Sequence, residues 1–238
     1  KKNSIVYLRS DGYGEYKAIL GLIGPGIYHL MFSIVSKISI LISCRKYILR
    51  HKQGELVAPS QITNEWLVNH KEFEINKPKL LYVGRIRKEK GIFSLLKLIK
   101  EGDADLTLSI VGAEKNSLTH IVQNNVCVYE VENNEQNLIK FYDEHNIFIL
   151  PSYTEGHPMV LLEALSRLRP VIIFKDIEHV IGDKKGIFVA DRNFNSFLDQ
   201  INFIKKNYRT IQQEMKKNKL PTKEEFLSRF SDLISKSS

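Results

Sequence analysis

The chain has 238 residues, a formal net charge of +8 and an apolar fraction of 43%. This apolar content is enough for a packed core and excludes an intrinsically disordered chain, and the length allows one or two domains of about 150 residues each. The two distant cysteines have no CxxC spacing, which excludes a disulfide framework and favours a reducing, cytoplasmic compartment.

The first third of the chain predicts a mixed arrangement of strands and helices. Apolar runs predict strands over residues 5–8 and 38–43 and helices over 15–23 and 27–37. The uncharged run 18–36 is long enough to consider as a membrane span. Glycines and a proline interrupt its middle, so we predict two helices that break at residues 24–26. A membrane-touching pair of apolar helices is the alternative.

The positive charge is scattered, with clusters at residues 45–52, 85–90 and 205–219. No nucleic-acid-binding motif accompanies it, so we predict no nucleic-acid partner. The last cluster is interpreted as a solvated face, and the first either as a solvated face or as a surface that faces an anionic membrane.

Strands and helices alternate from residue 80 onward, which predicts a doubly wound parallel sheet. Strands are predicted over residues 80–83, 106–111, 126–131, 147–150, 171–174 and 187–190. Most of them are continuous apolar runs, as expected when both faces of a sheet are covered. Helices are predicted between them, over residues 92–100, 117–123, 135–145, 158–167 and 194–208. Near the end of the chain, Thr222 and Glu225 have the spacing of a capping box, which predicts a terminal helix after Pro221.

The most informative stretch covers residues 147–173, IFILPSYTEGHPMVLLEALSRLRPVII. A buried strand runs into a short loop, a helix is predicted to begin at Pro158, and a second buried strand follows. Glu155 lies in the loop, and Glu163 lies in the second turn of the helix, where side chains lean toward the N-terminus. Gly156 permits a close backbone approach, and the helix start offers N–H groups to an anion. Two carboxylates for sugar hydroxyls beside an anion site predict a nucleotide-sugar crevice.

This stretch resembles the signature of retaining glycosyltransferases of family 4, which have the GT-B fold. The shared features are a strand, Pro-Ser, two glutamates separated by seven residues, Glu-Ala and a Pro-led strand. Residues 80–97, LLYVGRIRKEKGIFSLLK, resemble the donor-phosphate segment of the same family. The resemblance extends over residues 38–188. Two positions depart from the family pattern: His157 replaces an aromatic or apolar residue, and Leu168 replaces a glycine, which affects the helix C-cap.

The resemblance implies an α/β protein of GT-B type with a doubly wound, Rossmann-like C-terminal domain and a partial N-terminal Rossmann-like domain. The implied boundaries are 1–59 for the partial acceptor-side domain, 60–78 for a linker, 79–220 for the donor-binding domain and 221–238 for a helix that crosses back. Since a GT-B protein has two complete domains, roughly a hundred residues are expected before Lys1.

The same resemblance implies roles for individual residues. Arg85 and Lys90 would bind the donor diphosphate and neutralise the charge that develops on it, Glu155 would contact the donor hexose, and Glu163 would bind the ribose. Arg85, Lys90 and Glu155 form the predicted catalytic set. The predicted donor-binding set is Gly84, Arg85, Lys90, Glu155, Gly156, His157, Pro158, Met159, Val160 and Glu163.

These residues also have structural interpretations. Arg85 and Lys90 could be surface charges, Glu155 could cap the helix, and Glu163 could be an exposed helix residue. The neighbours of Glu163 are apolar, and a carboxylate buried without a partner costs several kcal/mol. A buried Glu163 that a ligand satisfies is therefore the favoured interpretation.

The predicted function is transfer of a sugar, with retention, from a nucleotide-sugar to a bacterial surface glycan such as O-antigen or capsule, or to a polyprenyl-linked acceptor. UDP is the favoured nucleotide, and the enzyme would work in the cytoplasm, peripherally on the inner face of the cell membrane. No His cluster or Asp-x-Asp sequence lies in the predicted crevice, where it could bridge the diphosphate to a metal, so neither a metal nor a cofactor is predicted. The alternatives are a non-catalytic nucleotide-sugar binding module and a GT-B-like epimerase or phosphorylase.

Overall fold

The computed structural model describes residues 4–71, 75, 77–101, 106–113 and 124–237. The chain divides into two compact units: Lys1–Thr63 with Pro221–Ser238 form the first, and Asn64–Leu220 form the second. The predicted linker, residues 60–78, is therefore divided between the two units, because the second unit already begins at Asn64.

The first unit contains a sheet of three parallel strands, β1 (Ser4–Leu8), β2 (Ser39–Ser43) and β3 (Glu55–Leu56), in that order. The helices α1 (Gly12–Leu20) and α2 (Gly24–Ile38) connect β1 to β2. The predicted break at residues 24–26 is wrong by one turn. Gly21 adopts a φ of 64°, and a 3₁₀ turn (Gly21–Ile23) separates the helices. Pro25 instead lies in the first turn of α2, where its missing N–H is not needed.

The terminal helix α8 (Lys223–Ser237) also belongs to the first unit. Its predicted capping box is confirmed, since Thr222 N donates to Glu225 Oε2 at 2.9 Å and Glu225 N donates to Thr222 Oγ1 at 3.1 Å. Lys223 N donates to the carbonyl of Ile62 at 2.8 Å, which attaches the start of α8 to the N-terminal residues.

The second unit contains six parallel strands, namely β4 (Lys79–Val83), β5 (Thr107–Ala113), β6 (Val126–Glu130), β7 (Ile147–Leu150), β8 (Val171–Phe174) and β9 (Ile187–Ala190). Their spatial order is β6-β5-β4-β7-β8-β9. This is the strand order of doubly wound dinucleotide-binding folds, so the predicted architecture is confirmed.

Five helices lie within the described part of this unit: α3 (Asn64–Leu67), which precedes β4, α4 (Ile92–Glu101), α5 (Glu135–Glu144) and α6 (Met159–Ser166), which lie between strands, and α7 (Phe194–Met215), which follows β9. The last helix continues beyond its predicted end at residue 208, with a kink at Asn207. It continues because Ile211 and Met215 keep the apolar spacing and are buried. The helix predicted over residues 117–123 lies outside the described residues.

Candidate functional site

The loops that follow β4 and β7 meet where the strand order of the second unit reverses. β4 pairs in parallel with both β5 and β7. In open α/β sheets, ligands bind in the crevice beyond the carboxyl ends of the strands at such a point. The two motifs of the sequence, in residues 84–91 and 151–158, therefore lie where this fold binds ligands.

Glycine allows the two loops to touch. Gly91 has a φ of 68°, and a Cβ atom at this position would lie 1.8 Å from the carbonyl oxygen of Pro151. Close to this contact, Tyr153 N donates a hydrogen bond to the carbonyl of Glu89 at 3.0 Å. Any side chain at position 91 would push the loops apart.

An ion pair joins the two loops at their centre. Lys90 Nζ donates to Glu155 Oε1 at 2.7 Å, and the two side chains are 26% and 10% exposed. Ser152 Oγ donates to the same carboxylate oxygen at 2.7 Å. His179 Nε2 lies 2.7 Å from the backbone oxygen of Glu155, so the tautomer protonated at Nε2 donates to it. The Glu155 carboxylate is thus held in one orientation.

Of the two helix starts beside the site, one lies at its predicted position and one does not. Helix α4 begins at Ile92 as predicted, and Lys90 ends a 3₁₀ turn (Lys88–Lys90) that precedes it. Pro158 is the N-cap of α6, with extended φ and ψ of −73° and 112°, and the helix begins one residue later at Met159. A proline N-cap provides no side-chain acceptor, so the first N–H groups of α6 receive no side-chain cap.

Arg85 is exposed, and the contact that holds it in place is a hydrogen bond to its backbone. The hydroxyl of buried Tyr82 donates to the carbonyl of Arg85 at 2.8 Å. Burial, and then the negative charge of Glu155, raise the pKa of Tyr82 far above its usual value. The hydroxyl therefore stays protonated and holds the loop after β4 beside Glu155.

Glu163 is only 6% exposed, so the interpretation as an exposed helix residue is wrong. Tyr142 on α5 donates its hydroxyl proton to Glu163 Oε2 at 2.8 Å. Burial raises the pKa of Glu163 to about 6, and the hydrogen bond from Tyr142 opposes this shift. Among the described residues, no hydrogen bond or ion pair joins Glu163 to Lys90 or Glu155.

Arg192, which follows β9, was not predicted from the sequence to belong to the site. Its guanidinium donates to the carbonyls of Pro151 and Ser152 at 2.9 and 3.3 Å, and to Asp176 Oδ2 at 2.6 Å. It also lies over the ring of Tyr153, 4.0 Å from the centroid. Arg192 therefore supports the loop that carries Glu155. A charged residue just beyond the carboxyl end of a strand was the available signal.

The sequence analysis also missed a buried cluster formed by Arg167, Arg169 and Asp143. Arg167 binds both oxygens of Asp143, through Nε at 3.0 Å and Nη2 at 2.8 Å, and Arg169 Nη2 lies 3.3 Å from Oδ1. Arg167 also donates to backbone carbonyls that include those of Trp66 and Val68. These bonds attach the segment around α3 to α5 and α6. Two arginines in an apolar stretch were the available signal, because buried charges need partners.

Leu168 ends α6 in the left-handed conformation, with a φ of 55°. Leu168 N donates to the carbonyl of Leu165 at 3.1 Å, and Arg169 N donates to that of Ala164 at 2.9 Å, which is a Schellman motif. The expectation that this replacement of glycine affects the C-cap is confirmed. The Leu168 side chain is buried and so contributes packing that glycine lacks.

The site therefore offers cations and a helix start to an anion, and carboxylates to hydroxyl groups. In the part of the chain that the structure describes, no group of three or more His, Cys, Asp or Glu residues is placed to hold a metal ion.

The parallel sheet and its strand order define a doubly wound, Rossmann-like α/β protein. Residues 67–220 match the family Glycosyl transferases group 1, and the chain belongs to this family.

Two proteins with similar sequences are named for the biosynthesis of cell-surface polysaccharides. TuaC of Bacillus subtilis strain 168, named as a teichuronic acid biosynthesis glycosyltransferase, is 37% identical over 97 residues, or 39% of this chain and 23% of that protein. CapM of Staphylococcus aureus, a capsular polysaccharide biosynthesis glycosyltransferase, is 28% identical over 134 residues, or 50% of this chain and 34% of that protein. The matches thus span well under half the length of these relatives.

The fold is similar to that of Anabaena HepE, whose structure was solved in complex with UDP and glucose. The superposition covers 98% of this chain and 71% of HepE, with a TM-score of 0.74 and 11% sequence identity. Sucrose-phosphate synthase of Thermosynechococcus elongatus gives a TM-score of 0.73 at 16% identity, over 98% of this chain and 67% of that chain. The predicted GT-B type of fold is therefore confirmed.

Proposed function

We propose that this chain is the donor-binding part of a retaining glycosyltransferase of family 4, which moves a sugar from UDP to a glycan or polyprenyl-linked acceptor of the bacterial surface. The ion pair between Lys90 and Glu155 carries this proposal. A cation suited to a diphosphate and a carboxylate suited to sugar hydroxyls lie in contact, beyond the carboxyl ends of adjacent strands.

Donor binding would exchange the partners of this ion pair. The ammonium of Lys90 would turn from Glu155 to the diphosphate, which carries more negative charge. Glu155, still held by Ser152, would then accept hydrogen bonds from the hexose. The exposed Arg85 side chain and the first N–H groups of α6 would bind the remaining phosphate oxygens.

Glu163 would bind the ribose. Tyr142 holds Oε2, so Oε1 is the atom proposed to accept hydrogen bonds from the ribose hydroxyls. The apolar surroundings of this carboxylate favour a ligand that provides hydrogen-bond donors. Gly84, Gly156, His157, Met159 and Val160 would line the remainder of the donor site, since they lie in the same two segments.

The proposed chemistry is electrostatic. The bond between the sugar and the diphosphate breaks as the acceptor hydroxyl oxygen attacks the face of the sugar from which the diphosphate leaves. The hydroxyl proton passes to the departing phosphate oxygen, so no enzyme nucleophile is needed. Negative charge develops on the departing diphosphate, and Lys90 and Arg85 stabilise it. These cations would take the role that a divalent metal has in other donor sites. We therefore propose that the donor binds without a metal or cofactor.

The comparisons support this proposal through the names of similar proteins. TuaC and CapM are named for teichuronic acid and capsule biosynthesis, and HepE holds UDP and glucose in its structure. We therefore also propose that the acceptor is a surface polysaccharide and that the enzyme works in the cytoplasm, at the inner face of the membrane.

A binding and turnover screen across UDP-, GDP- and ADP-sugars tests the function. We expect calorimetry to show binding of a UDP-sugar, mass spectrometry to show slow release of UDP, and neither to change with EDTA. Binding without release, even with added glycan acceptors, would favour the non-catalytic module. An isomerised sugar in the mixture would favour an epimerase. Loss of binding in EDTA with rescue by manganese would contradict the metal-free site.

A further inference from the structure

The side chain of Tyr142 on α5 is completely buried and reaches the first turn of α6. Its hydroxyl donates to Oε2 of Glu163 at 2.8 Å, and the carbonyl oxygen of Val160 lies 3.5 Å away. Burial raises the pKa of Tyr142 well above its usual value, so the hydroxyl keeps its proton. Tyr142 therefore acts as a constant hydrogen-bond donor to Glu163.

Two aromatic side chains fix the ring of Tyr142. Trp66 on α3 meets it edge to face with ring centroids 5.5 Å apart, and the ring centroid of Phe148 on β7 lies 5.6 Å away. Both residues are buried. The indole N–H of Trp66 donates to Glu135 Oε1 at 2.8 Å, so Trp66 is itself attached to the start of α5. The hydroxyl of Tyr142 is thus held in one place beside Glu163.

A hydrogen bond to one oxygen decides the orientation of the Glu163 carboxylate. The terminal torsion of a glutamate has broad preferences, so a carboxylate without such a bond rotates easily. In the part of the chain that the structure describes, Tyr142 is the residue that donates a hydrogen bond to this carboxylate. Fixing Oε2 also fixes Oε1, and it removes a rotation that ligand binding would otherwise have to freeze.

Tyr142 also affects the charge of Glu163. Burial raises the pKa of Glu163 to about 6, and the hydrogen bond from Tyr142 counteracts this rise. Without that bond, a larger fraction of the carboxyl group would be protonated near neutral pH. An ionised carboxylate only accepts hydrogen bonds, so it suits a ligand that offers hydroxyl groups.

We propose that Tyr142 is a positioning residue that makes the donor site selective for ribonucleotides. By holding Oε2 of Glu163, it presents Oε1 to the ribose hydroxyl groups. A site built to hydrogen-bond a hydroxyl group rejects the analogue that lacks it, because the polar group of the site is then left unpaired. This inference rests on the proposed function and deepens it, since it names the residue that enforces recognition of the ribose.

Calorimetry with UDP-glucose and its 2′-deoxyuridine and 3′-deoxyuridine analogues tests this selectivity. Near neutral pH we expect the wild type to bind at least one deoxy analogue about tenfold more weakly than UDP-glucose, because a charge-assisted hydrogen bond is lost. Tyr142→Phe should reduce this affinity ratio by about threefold or more. Tyr208→Phe is the matched control and should keep the ratio of the wild type. The hydroxyl of Tyr208 is also buried in the second unit, where it donates to the carbonyl of Asn146 at 2.9 Å.

The pH profile of the affinity ratio distinguishes positioning from a purely structural role. The diphosphate of UDP-glucose does not titrate near neutral pH, so the profile reports on the protein. In the wild type the ratio should fall as the pH drops through about 6, where Glu163 becomes protonated. In Tyr142→Phe the fall should occur at a higher pH, and alkaline buffer should restore part of the ratio. In Glu163→Gln the ratio should be small at every pH.

The comparison with Glu163→Gln isolates Glu163 from other groups on the elements that pack against α6. The buried and half-buried titratable groups there have partners of their own, namely Glu135 with Trp66, Asp143 with Arg167 and Arg169, His70 with the carbonyl of Ser166, and His145 with that of Phe141. Burial lowers the pKa of both histidines. Their titration is common to the wild type and Glu163→Gln, so it cancels in the difference.

Tyr142→3-fluorotyrosine tests the same hydrogen bond with the ring and its packing retained, and it replaces Tyr142→Phe if that variant does not fold. Fluorine makes the hydroxyl a stronger donor, so the affinity ratio should persist to a lower pH than in the wild type. Shifts in opposite directions for the two variants do not follow from a structural role. An unchanged profile in either variant, while circular dichroism shows a folded chain, would overturn the inference.

The same titrations separate this inference from the proposed function. Equal affinity of the wild type for UDP-glucose and both deoxy analogues would overturn the inference alone, because the donor site would still bind its nucleotide. Failure of the wild type to bind any of the three ligands would overturn the proposed function together with the inference.

Discussion

The ammonium of Lys90 lies 2.7 Å from Oε1 of Glu155, and this contact joins the loop after β4 to the loop after β7. The sequence analysis assigned these residues to different parts of one donor. In the structure these two side chains neutralise each other. Under the proposed function, a donor diphosphate would compete with Glu155 for Lys90.

The first prediction concerns Lys90. Lys90→Met should weaken UDP binding by about ten- to hundredfold, because a charge-assisted hydrogen bond contributes roughly 1.5–3 kcal/mol. Calorimetry measures this effect. Lys97→Met is the matched control, since its ion pair with Glu101 on α4 is exposed, and it should leave UDP affinity unchanged. Equal UDP affinity of the wild type and the Arg85→Ala/Lys90→Ala double variant would remove the phosphate assignment.

The second prediction concerns Arg192 as a positioning residue. Arg192→Ala should lower the affinity for a UDP-sugar more than the affinity for UDP, because the loop it supports carries Glu155. Arg192→Lys should restore little of the lost affinity for the UDP-sugar, since an ammonium cannot reproduce the bidentate hydrogen bonding of a guanidinium to two carbonyls. Lys175→Ala removes a nearby exposed ion pair with Asp191 and serves as the control. A loss of thermal stability with an unchanged affinity ratio would show a purely structural role.

The third prediction separates the two glutamates. Glu163→Gln should weaken UDP and UDP-sugar alike, because the ribose is common to both. Glu155→Gln should spare UDP and impair the UDP-sugar. Each lost charge-assisted hydrogen bond is worth roughly 1.5–3 kcal/mol, which titration calorimetry resolves easily. If both variants lose UDP to the same extent, the division of roles is wrong.

The fourth prediction concerns the pH dependence of stability. The pKa of Glu163 is about 6 in the folded chain against 4.5 for an ordinary glutamate. The folded state therefore binds more protons than the unfolded state between these values, and stability must fall as pH rises through this window. The free energy of unfolding of the wild type relative to Glu163→Gln should fall by about 2 kcal/mol from about pH 4 to pH 7. Parallel urea-denaturation curves for both proteins would contradict this pKa.

The fifth prediction concerns the buried arginine cluster. Asp143→Ala should destabilise the second unit by about 3–5 kcal/mol, because it leaves Arg167 and Arg169 without their shared carboxylate. Glu144→Ala, at the next position of α5, removes only an exposed pair with Lys140 and should cost less than about 0.5 kcal/mol. Thermal denaturation compares the two variants, and similar midpoints would contradict the structural role of the cluster.

The sequence by itself determined the features that depend on neighbours along the chain. The fully buried strands β7 and β8 are continuous apolar runs, and the capping box at Thr222 and Glu225 closes within three residues. The parallel sheet also brings the loops after β4 and β7 to one edge, so the location of the site followed from the order of the elements. The replacement of glycine by Leu168 could be recognised from the sequence, because the residues that form a helix C-cap are close together along the chain.

Tertiary structure decided the contacts that join distant positions. Lys90 and Glu155 are 65 residues apart, Arg192 reaches a loop 41 residues before it, and Arg167 reaches Trp66 across 101 residues. Local pattern cannot predict such partners, because many carboxylates and carbonyls compete for each cation until the fold selects one. Burial could be predicted only in part. The apolar neighbours of Glu163 indicated that it is buried, but the fold provides its partner Tyr142. Leu30 and Ile34 of the equally apolar helix α2 remain exposed. Apolar periodicity shows which side chains avoid water, but only the packing of the other elements determines which of them are covered.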